Sequence, residues 1–423
     1  MHCSFSVVQV TMAVPCGSER FDAVAAGEAC MRSQTTALIL SHFREHGTAT
    51  RSDVSAALGL HAKTVANAIN TLRDNGLLVP AGRRKSDAGR RQELFSINGS
   101  HGNYMGLDLG ATHIIGILVD ANCSVLDRVV FDIRPGLGVE IIVSQLKSIA
   151  RRLAASSQRT AVIRGAGVCV PGFVDPRSGM SIVAENIVGW RNVHLREILA
   201  ADTTAPLFVE DSSRALGVAE RWVGSVRHAS DFMVLDIGYG VGMAIYTGGE
   251  LYGGTNHKSG EIGHTVVVPD GGVCACGKRG CLETVASGRA IALDARAAAR
   301  EGRSSILMDL AQGDVDTISA ADVSVAANMG DPLAGELLRA AGGYIGIALA
   351  NAVNLLNPSH VVLGGGLTNA GAILLDSVSE ALSLHTMTEI FKELQLSVSG
   401  LGVDGSAIGS AMLAMLSASL PTD

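Results

Sequence analysis

The chain has 423 residues, of which 47% are hydrophobic and 17% charged, and its net charge is −7. This length predicts two or three domains, and the composition excludes a disordered chain. No stretch reaches the roughly 18 apolar residues that span a bilayer. No basic residue precedes the apolar run from Phe5 to Val14, which argues against a signal peptide. We therefore expect a cytoplasmic protein with no membrane partner.

Basic residues are concentrated in one part of the chain. Residues 31–100 contain ten Lys and Arg against five Asp and Glu, a net charge of +5, so the remainder carries −12. A basic module on an acidic body is typical of a DNA-binding domain attached to a soluble sensor. The alternative is a chance local fluctuation in charge.

The first hundred residues are predicted to form an extension and a winged helix-turn-helix. Residues 1–30 lack periodicity and are predicted to be a disordered or misassigned extension, with Met12 or Met31 as later starts. Three segments have helical apolar spacing and end at a glycine: 33–46 at Gly47, 52–58 at Gly59 and 62–75 at Gly76. Strands around 77–79 and 92–97 flank a basic loop, which predicts a wing. The predicted DNA-binding domain therefore covers residues 31–100.

Two groups of polar residues in this domain are predicted to contact double-stranded DNA. The first lies at the start of the presumed recognition helix, where side chains reach base edges: His61, Lys63, Thr64 and Asn67. The second lies in the wing, where arginines can meet phosphates or a narrow minor groove: Arg83, Arg84, Arg90 and Arg91. The alternative is the exposed charge that is common on small helical domains.

From Tyr104 onward, apolar strands alternate with helices, which predicts an α/β architecture. The candidate strands are 104–109, 114–119, 161–170, 207–210, 231–237, 241–246 and 360–364, and the candidate helices are 138–155, 212–224, 288–300, 319–328 and 332–356. Residues 106–120 and 234–251 resemble each other, because each has an apolar strand, an Asp-x-Gly turn and a second strand. This repetition predicts two similar lobes facing a cleft, at 101–225 and 226–423, with the last helix returning to the first lobe.

A compact group of residues predicts a metal site. Cys274, Cys276 and Cys281 lie within eight residues, and His264 precedes them. Three thiolates and one imidazole complete a tetrahedral zinc site and leave no open position, so we expect Zn²⁺ in a structural role. The alternative is four unrelated residues in a loop.

Two glycine turns could hold phosphate groups. Asp108, Gly110 and Thr112 form the first turn, whose backbone N–H groups and hydroxyl suit a phosphate. Gly364 and Gly365 come directly after the apolar segment His360–Leu363, in a similar turn. A simple β-hairpin turn explains the first motif equally well.

These motifs together resemble those of the ROK family, which joins sugar kinases and sugar-responsive repressors. The resemblance covers roughly residues 31–420 and rests on five segments: DLGAT (108–112), PGFVD (171–175), NIVGW (186–190), EIGH with CACGKRGCLE (261–283) and VVLGGGL (361–367). It implies a two-lobed actin-like/ribonuclease-H-like sugar-kinase fold. The N-terminal winged helix resembles that of the family's xylose and N-acetylglucosamine repressors, whereas the family's kinases lack it.

The resemblance also implies a sugar site. By position in the family's motifs, the sugar-binding residues are Asn186, Asp211, Glu261, His264 and Glu283. His264 would then serve both the sugar and the metal through its two ring nitrogens. The phosphate turns would be vestigial nucleotide-binding elements.

The segment 209–220 departs from the family's kinases. An ungapped match places Asp211 on the family's Asn and Ser212 on its catalytic Asp, the general base. A serine cannot accept the proton as a carboxylate would, and loss of a general base typically costs about 10²–10⁴ in rate. Tyr239 also replaces the Thr of the family's second phosphate loop. A slip of one residue would instead let Asp211 act as the base, although the downstream spacing opposes it.

We therefore expect a sugar-responsive repressor of carbohydrate metabolism genes, without enzymatic activity. Its partners would be an operator DNA, a sugar or sugar-phosphate effector, and further copies of the chain in a homodimer or homotetramer. The rival hypothesis is an active ATP-dependent hexokinase with an extra domain. A third possibility is a zinc-stabilised sugar-binding protein whose basic domain serves another partner.

Overall fold

The structure is a computed structural model that describes residues 35–36, 38–85, 91–134, 136–157, 161–185, 187–203 and 205–418. Two predicted site residues, Asn186 and Arg90, lie outside the described residues, as does the predicted extension 1–30.

The N-terminal region folds into three helices and a three-stranded antiparallel sheet of order β1-β3-β2. Its elements are α1 (38–46), β1 (Thr48–Ala49), α2 (Arg51–Leu58), α3 (Ala62–Asp74), β2 (Leu78–Lys85) and β3 (Arg91–Ile97). A capping box begins α2, because the side chains of Thr50 and Asp53 each accept a hydrogen bond from the other's backbone N–H. The apolar stripe Val65, Ile69 and Leu72 buries one face of α3.

The three helices of this region agree with the predicted ones, but the second strand is longer than expected. The sequence predicts a strand only around 77–79, whereas β2 continues to Lys85. After an irregularity between Pro80 and Arg83, the strand pairs again with the start of β3. The error has a physical reason: both faces of this hairpin are exposed to solvent, so its residues show no apolar alternation.

The first α/β lobe is built on a five-stranded mixed sheet of order β11-β7-β4-β5-β6. Its elements are β4 (Asn103–Leu109), β5 (His113–Asp120), β6 (Val125–Asp132), α4 (Val139–Ser157), β7 (Ile163–Val170), β8 (Phe173–Asp175), β9 (Met180–Val183), β10 (Arg191–Val193), α5 (Leu195–Thr203), β11 (Leu207–Asp211) and α6 (Ser212–Trp222). Strand β4 pairs antiparallel with β5 and parallel with β7. Every residue of β4 is buried, as expected for the central strand of a sheet covered on both faces.

The second lobe repeats the same strand plan in the order β14-β13-β12-β15-β16. Its elements are β12 (Phe232–Ile237), β13 (Val241–Thr247), β14 (Glu250–Leu251), α7 (Glu283–Ala286), α8 (Gly288–Arg300), α9 (Leu307–Leu310), α10 (Ala320–Asn328), α11 (Pro332–Leu356), β15 (His360–Gly364), α12 (Ala372–His385), α13 (Thr388–Glu393), β16 (Gln395–Val398) and α14 (Gly405–Ala418). In both lobes the first strand pairs antiparallel with the second and parallel with the fourth. The repetition seen in the two Asp-x-Gly segments therefore extends to whole sheets.

The last helix, α14, packs on the sheet of the first lobe. The Ser410 hydroxyl donates to the Leu107 carbonyl oxygen of β4 at 3.3 Å. A Cβ at position 167 of β7 would lie 1.9 Å from the carbonyl oxygen of Ser410. Only glycine permits so close an approach of helix and sheet, which explains Gly167 in an otherwise apolar strand.

One hydrophobic core joins the N-terminal region to the first lobe. Phe43 of α1 and Leu78 of β2 belong to the same buried cluster as Trp222 at the end of α6 and Met415 of α14. The Arg44 guanidinium stacks over the Trp222 ring at 5.8 Å and donates to the Ala121 carbonyl oxygen at 3.3 Å. The N-terminal region is therefore anchored to α6 by apolar, polar and cation–π contacts.

Helix α11 is the one described helix that is long and apolar enough to cross a membrane by length and composition. Residues within the protein bury 61% of its most apolar segment, and Leu338, Ile345 and Leu349 lie in the core of the second lobe. This burial is typical of the central helix of a globular domain.

Candidate functional site

A cavity of about 440 Å³ lies between the two sheets. It is formed by the turn after β4, the junction of β11 and α6, the turn after β12 and the loop that ends at His264. The predicted site residues that line it are Asp108, Gly110, Thr112, Asp211, Glu261, His264, Cys276, Glu283 and Gly365. Gly364 is not among the lining residues, because it is buried at the end of β15 opposite Asp236.

Helix α6 begins at the floor of this cavity. The Asp211 carboxylate caps the helix by accepting a hydrogen bond from the Arg214 N–H at 3.1 Å. The next residue, Ser212, donates its hydroxyl to Asp108 Oδ1 at 3.1 Å, and the Cys169 thiol donates to the same oxygen at 3.2 Å. The Ser212 hydroxyl, at the position that the resemblance to the family's kinases assigns to the general base, is thus committed to a neighbouring carboxyl.

Three aspartic acids of the cavity have raised pKa values. Burial raises the pKa of Asp211 to about 8, against a helix-capping hydrogen bond that lowers it, and nearby acids raise it further. Burial, followed by the charge of Asp108, raises the pKa of Asp236 to about 7. Burial also raises the pKa of Asp108, although the donors Cys169 and Ser212 oppose the shift. The floor of the cavity therefore tolerates little negative charge.

Three of the predicted sugar residues, Glu261, His264 and Glu283, line the cavity from the second lobe, and Glu261 is close enough to Asp211 to raise its pKa. Glu283 begins α7 and accepts a hydrogen bond from the Val241 N–H at 2.8 Å, which fixes its carboxylate. Glu261 Oε2 lies 3.9 Å from His264 Nε2. Carboxylates and an imidazole in a half-buried pocket can accept and donate the hydrogen bonds that sugar hydroxyls require.

His264, Cys274, Cys276 and Cys281 form one cluster, whose ligand atoms all lie within 4.8 Å of one another. His264 Nδ1 is 3.6 Å from Cys274 Sγ, and the Sγ atoms of Cys276 and Cys281 are 3.7 Å apart. A tetrahedral zinc ion with its usual bond lengths places its donors about 3.4–3.8 Å apart. The four residues therefore fit such an ion, with one ring nitrogen of His264 toward the thiols and the other toward Glu261.

The predicted DNA-contact residues of α3 lie on one exposed face. His61, Lys63, Thr64 and Asn67 are all exposed. Arg83, Arg84 and Arg91 are exposed on the hairpin of β2 and β3, but Arg84 is paired with Asp53 of α2 at 2.6 Å. This ion pair holds the hairpin against α2. It also engages the guanidinium of Arg84, which the sequence predicts to contact DNA.

Two cavity residues were missed by the sequence analysis. Asp236 occupies the same place in the second repeat as Asp108 in the first, so the repetition of the Asp-x-Gly turn was the signal that could have identified it. Glu185 also lines the cavity, and no spacing or motif of its own distinguishes it in the sequence.

Two lobes with the same strand order around a polar cleft define the class of two-lobed α/β sugar-kinase folds. Within that class the chain belongs to the ROK family, which matches residues 104–416.

Both glucokinases and xylose repressors are among the relatives of this chain. The chain is 32% identical to a glucokinase of Halalkalibacterium halodurans over 313 residues, 73% of this chain and 94% of that protein. It is 28% identical to a xylose repressor of Caldicellulosiruptor bescii over 365 residues, 86% of this chain and 91% of that protein.

The similar solved structures also include both a glucokinase and a transcriptional regulator. A ROK family glucokinase from Streptomyces griseus, in complex with glucose and AMPPNP, superposes with a TM-score of 0.68 at 30% identity, covering 74% of this chain and 99% of its own. A ROK family transcriptional regulator, a homolog of the E. coli MLC protein, superposes with a TM-score of 0.75 over 92% of this chain and 97% of its own, at 24% identity. The latter likeness concerns the fold alone.

Proposed function

We propose that this protein is a sugar-responsive, DNA-binding transcription regulator, a repressor of carbohydrate metabolism genes that acts in the cytoplasm. The observation that carries the proposal is the N-terminal arrangement. Helices α2 and α3 are joined by a short turn at Gly59, α3 exposes four polar side chains, and a basic hairpin lies beside them. This arrangement supports a winged helix-turn-helix, whose second helix would enter the major groove.

The extent of the similarity to repressors supports the proposal. A match over 86% of the chain is longer than the segment from residue 104 to the end, so the xylose repressor similarity includes part of the N-terminal region. The glucokinase match covers 73% of the chain, a length that the two lobes alone can account for.

In this proposal the cleft binds a sugar and does not phosphorylate it. Glu261, His264 and Glu283 hold the sugar hydroxyls together with Asp211, while Ser212 cannot take a proton from the substrate. Asn186 belongs to the same proposed sugar site by its place in the family motif.

His264 and the three cysteines would hold Zn²⁺ in a structural role. Four protein donors leave the ion no open position, so its contribution is to fix the loop and the orientation of the His264 ring. The free ring nitrogen then faces Glu261 and the sugar.

Helix α6 is the element that can carry the signal from sugar to DNA. Its N-cap, Asp211, and its first residue, Ser212, line the cavity, and its last residue, Trp222, packs against Arg44 of α1. A sugar that prefers one arrangement of the lobes would shift α6 and, through Trp222, the N-terminal domain. In a two-fold dimer this shift changes the spacing of two DNA-binding domains, whose half-sites would lie one or two helical turns of about 10.5 base pairs apart.

An electrophoretic mobility-shift assay with the DNA upstream of the gene tests the proposal. We expect retardation that a sugar changes, and a loss of affinity of at least about tenfold in the double variant Lys63→Ala, Asn67→Ala. Arg152→Ala, an exposed basic residue on α4, is the matched control and should bind DNA like the wild type. Failure of the wild type to bind DNA, with and without sugars, would contradict the proposal.

The second candidate function is an active ATP-dependent hexokinase. One observation favours it: Asp211 lines the cavity one residue before Ser212, and its raised pKa of about 8 is that of an available proton acceptor once ionised. A coupled ADP-release assay with hexoses and N-acetylhexosamines separates the two functions. Turnover that Asp211→Ala abolishes would establish the kinase.

A further inference from the structure

The floor of the cleft concentrates acidic groups where a kinase would place phosphates. Asp108 ends β4 before the first glycine turn, Asp236 precedes the second, and Asp211 lies between them at the start of α6. Glu185, Glu261 and Glu283 complete six carboxyl groups in the lining. Among the described lining residues the only Lys or Arg is Lys278, which belongs to the cysteine loop.

Lys and Arg side chains do not compensate the three aspartates in the described part of the chain, although the charge of His113 lowers the pKa of Asp108. Among the described residues, none of the ion pairs involves Asp108, Asp211 or Asp236. The guanidinium of Arg214 lies one helical turn away but pairs with Glu210 at 2.9 Å. Recognition of a phosphate normally requires such a cation or free backbone N–H groups.

Two backbone donors of the glycine turns are already used. The Gly110 N–H donates to the His113 carbonyl oxygen at 2.9 Å, and the Gly238 N–H donates to the Gly240 carbonyl oxygen at 3.0 Å. Tyr239 adds an aromatic side chain to the second turn, where it lines the cavity. The turns thus close as hairpins and direct these two N–H groups away from a ligand.

Asp236 is held firmly in this position. It lies in the centre of the second sheet, paired with Gly242 of β13 and Gly364 of β15. Its Oδ1 would lie 2.5 Å from a Cβ at position 365, where the backbone has a φ of 84°. Glycine at that position is therefore required both by the backbone and by the space that the carboxyl occupies.

From this arrangement we infer that the cleft accepts an uncharged, hydroxyl-rich sugar and rejects phosphorylated sugars and nucleotides, with Asp236 as a residue that determines this specificity. The inference rests on the proposed function, which makes a sugar the effector, and narrows it to the unphosphorylated form. Sugar hydroxyls can donate to a carboxylate or accept from a carboxylic acid. A phosphate dianion can only accept hydrogen bonds, and it would bring negative charge into a lining that has six carboxyl groups and, among Lys and Arg, Lys278 alone.

Isothermal titration calorimetry of the full-length protein tests this inference. The probes are glucose against glucose 6-phosphate, N-acetylglucosamine against its 6-phosphate, xylose, and AMPPNP with and without MgCl₂. For any pair that binds, we expect the neutral sugar to bind at least about tenfold more tightly, and we expect no heat from AMPPNP in either condition. A phosphorylated sugar that binds as tightly as its neutral partner, or AMPPNP binding with or without Mg²⁺, would overturn the inference.

The variant Asp236→Asn keeps the shape of the side chain and removes its charge. We expect it to gain measurable affinity for AMPPNP or a sugar phosphate, because a charge that opposes a phosphate is removed. Asp309→Asn, which removes an exposed charge on α9, is the control and should gain nothing. If Asp236→Asn folds, as judged by circular dichroism, and gains no anion affinity, the assignment of Asp236 is wrong whether or not a sugar has been found. If the wild-type protein failed to bind DNA, the regulator proposal would be contradicted. The preference for neutral sugars over phosphorylated sugars and nucleotides would be unaffected by that result.

Discussion

Two groups of cleft residues differ in how closely they match the site that the resemblance to sugar kinases implies. In the first group, His264 belongs to the Cys₃His cluster with Glu261 beside it, and Glu283 is fixed by a backbone hydrogen bond. In the second group, Ser212 stands where the resemblance implies a catalytic carboxylate, and Asp236 adds an acid beside the second glycine turn. Binding a sugar needs well-placed donors and acceptors, whereas phosphoryl transfer also needs a base and a clamp for phosphate. In the proposed function, the cleft keeps sugar recognition without phosphoryl transfer.

The largest effect is expected in the first group of residues, through the Cys₃His cluster. Cys276→Ser removes one of four donors, so we expect loss of bound zinc and at least a hundredfold weaker sugar binding, because His264 loses its orientation. Metal content measured by mass spectrometry and sugar affinity measured by calorimetry check this. Cys123→Ser, in a turn of the first lobe, should retain both properties. Unchanged zinc in the Cys276→Ser protein would refute the metal centre.

A second prediction concerns Ser212, in the second group of residues. Ser212→Asp alone should give no sugar-kinase activity, because its carboxylate would face Asp108 and the site would still reject nucleotide. The combination of Ser212→Asp, Asp236→Asn and Tyr239→Thr should raise turnover by on the order of 10²-fold over background. ADP release measures both, with Ser212→Asn as the uncharged control. Activity in the single variant would mean that only the base separates this cleft from a kinase.

A third prediction concerns the link between the cleft and the N-terminal region. Arg44→Met removes the contacts with Trp222 and the Ala121 carbonyl oxygen while keeping apolar bulk. The ratio of DNA affinities with and without sugar should fall by about 5–10-fold, with little change in sugar affinity. Fluorescence anisotropy at fixed salt measures the ratio, and Arg152→Met on α4 should leave it unchanged. An undiminished ratio would exclude α6 and Arg44 as the route of the signal.

The smallest effect is on stability against pH. The pKa of Asp236 is raised from 3.8 to about 7, so its folded-state protonation stabilises the protein fully below about pH 4 and is lost as the pH rises through 7. Asp236→Asn should therefore be more stable than the wild type at pH 8, by on the order of 2 kcal/mol, with a shallower loss of Tm between pH 5 and 8. Thermal denaturation measures this slope, and Asp309→Asn should keep the wild-type slope. Asp108 is the charged neighbour that contributes to the shift. A steeper slope in Asp236→Asn would contradict the account.

Much of this comparison could be predicted from the sequence. The spacing of His264 and the three cysteines predicted their cluster, and the apolar periodicity located the helices α2, α3, α8, α10 and α11 closely. The two Asp-x-Gly segments predicted two similar lobes, and the predicted helix 212–224 begins at the residue where α6 begins, Ser212. These features depend on local spacing, which a sequence displays directly.

The remaining features depend on contacts between distant segments. The ion pair of Arg84 with Asp53, the contact of Arg44 with Trp222 and the bond from Ser212 to Asp108 join residues 31, 178 and 104 positions apart. The acidity of the cleft floor likewise arises only when β4, β11 and β12 end beside one another. No periodicity reports such neighbours, so the contact of α6 with both the cleft and the N-terminal region had to come from the structure.

The most direct test of the account is a titration of sugar into the protein–DNA complex in the absence of ATP. Fluorescence anisotropy of labelled upstream DNA would be followed with the neutral sugar that raises the melting temperature most. The account predicts a saturable change in DNA affinity whose midpoint follows the sugar's own Kd, with no nucleotide required. Absence of DNA binding in the wild type, together with sugar-dependent ADP release when ATP is supplied, would contradict it.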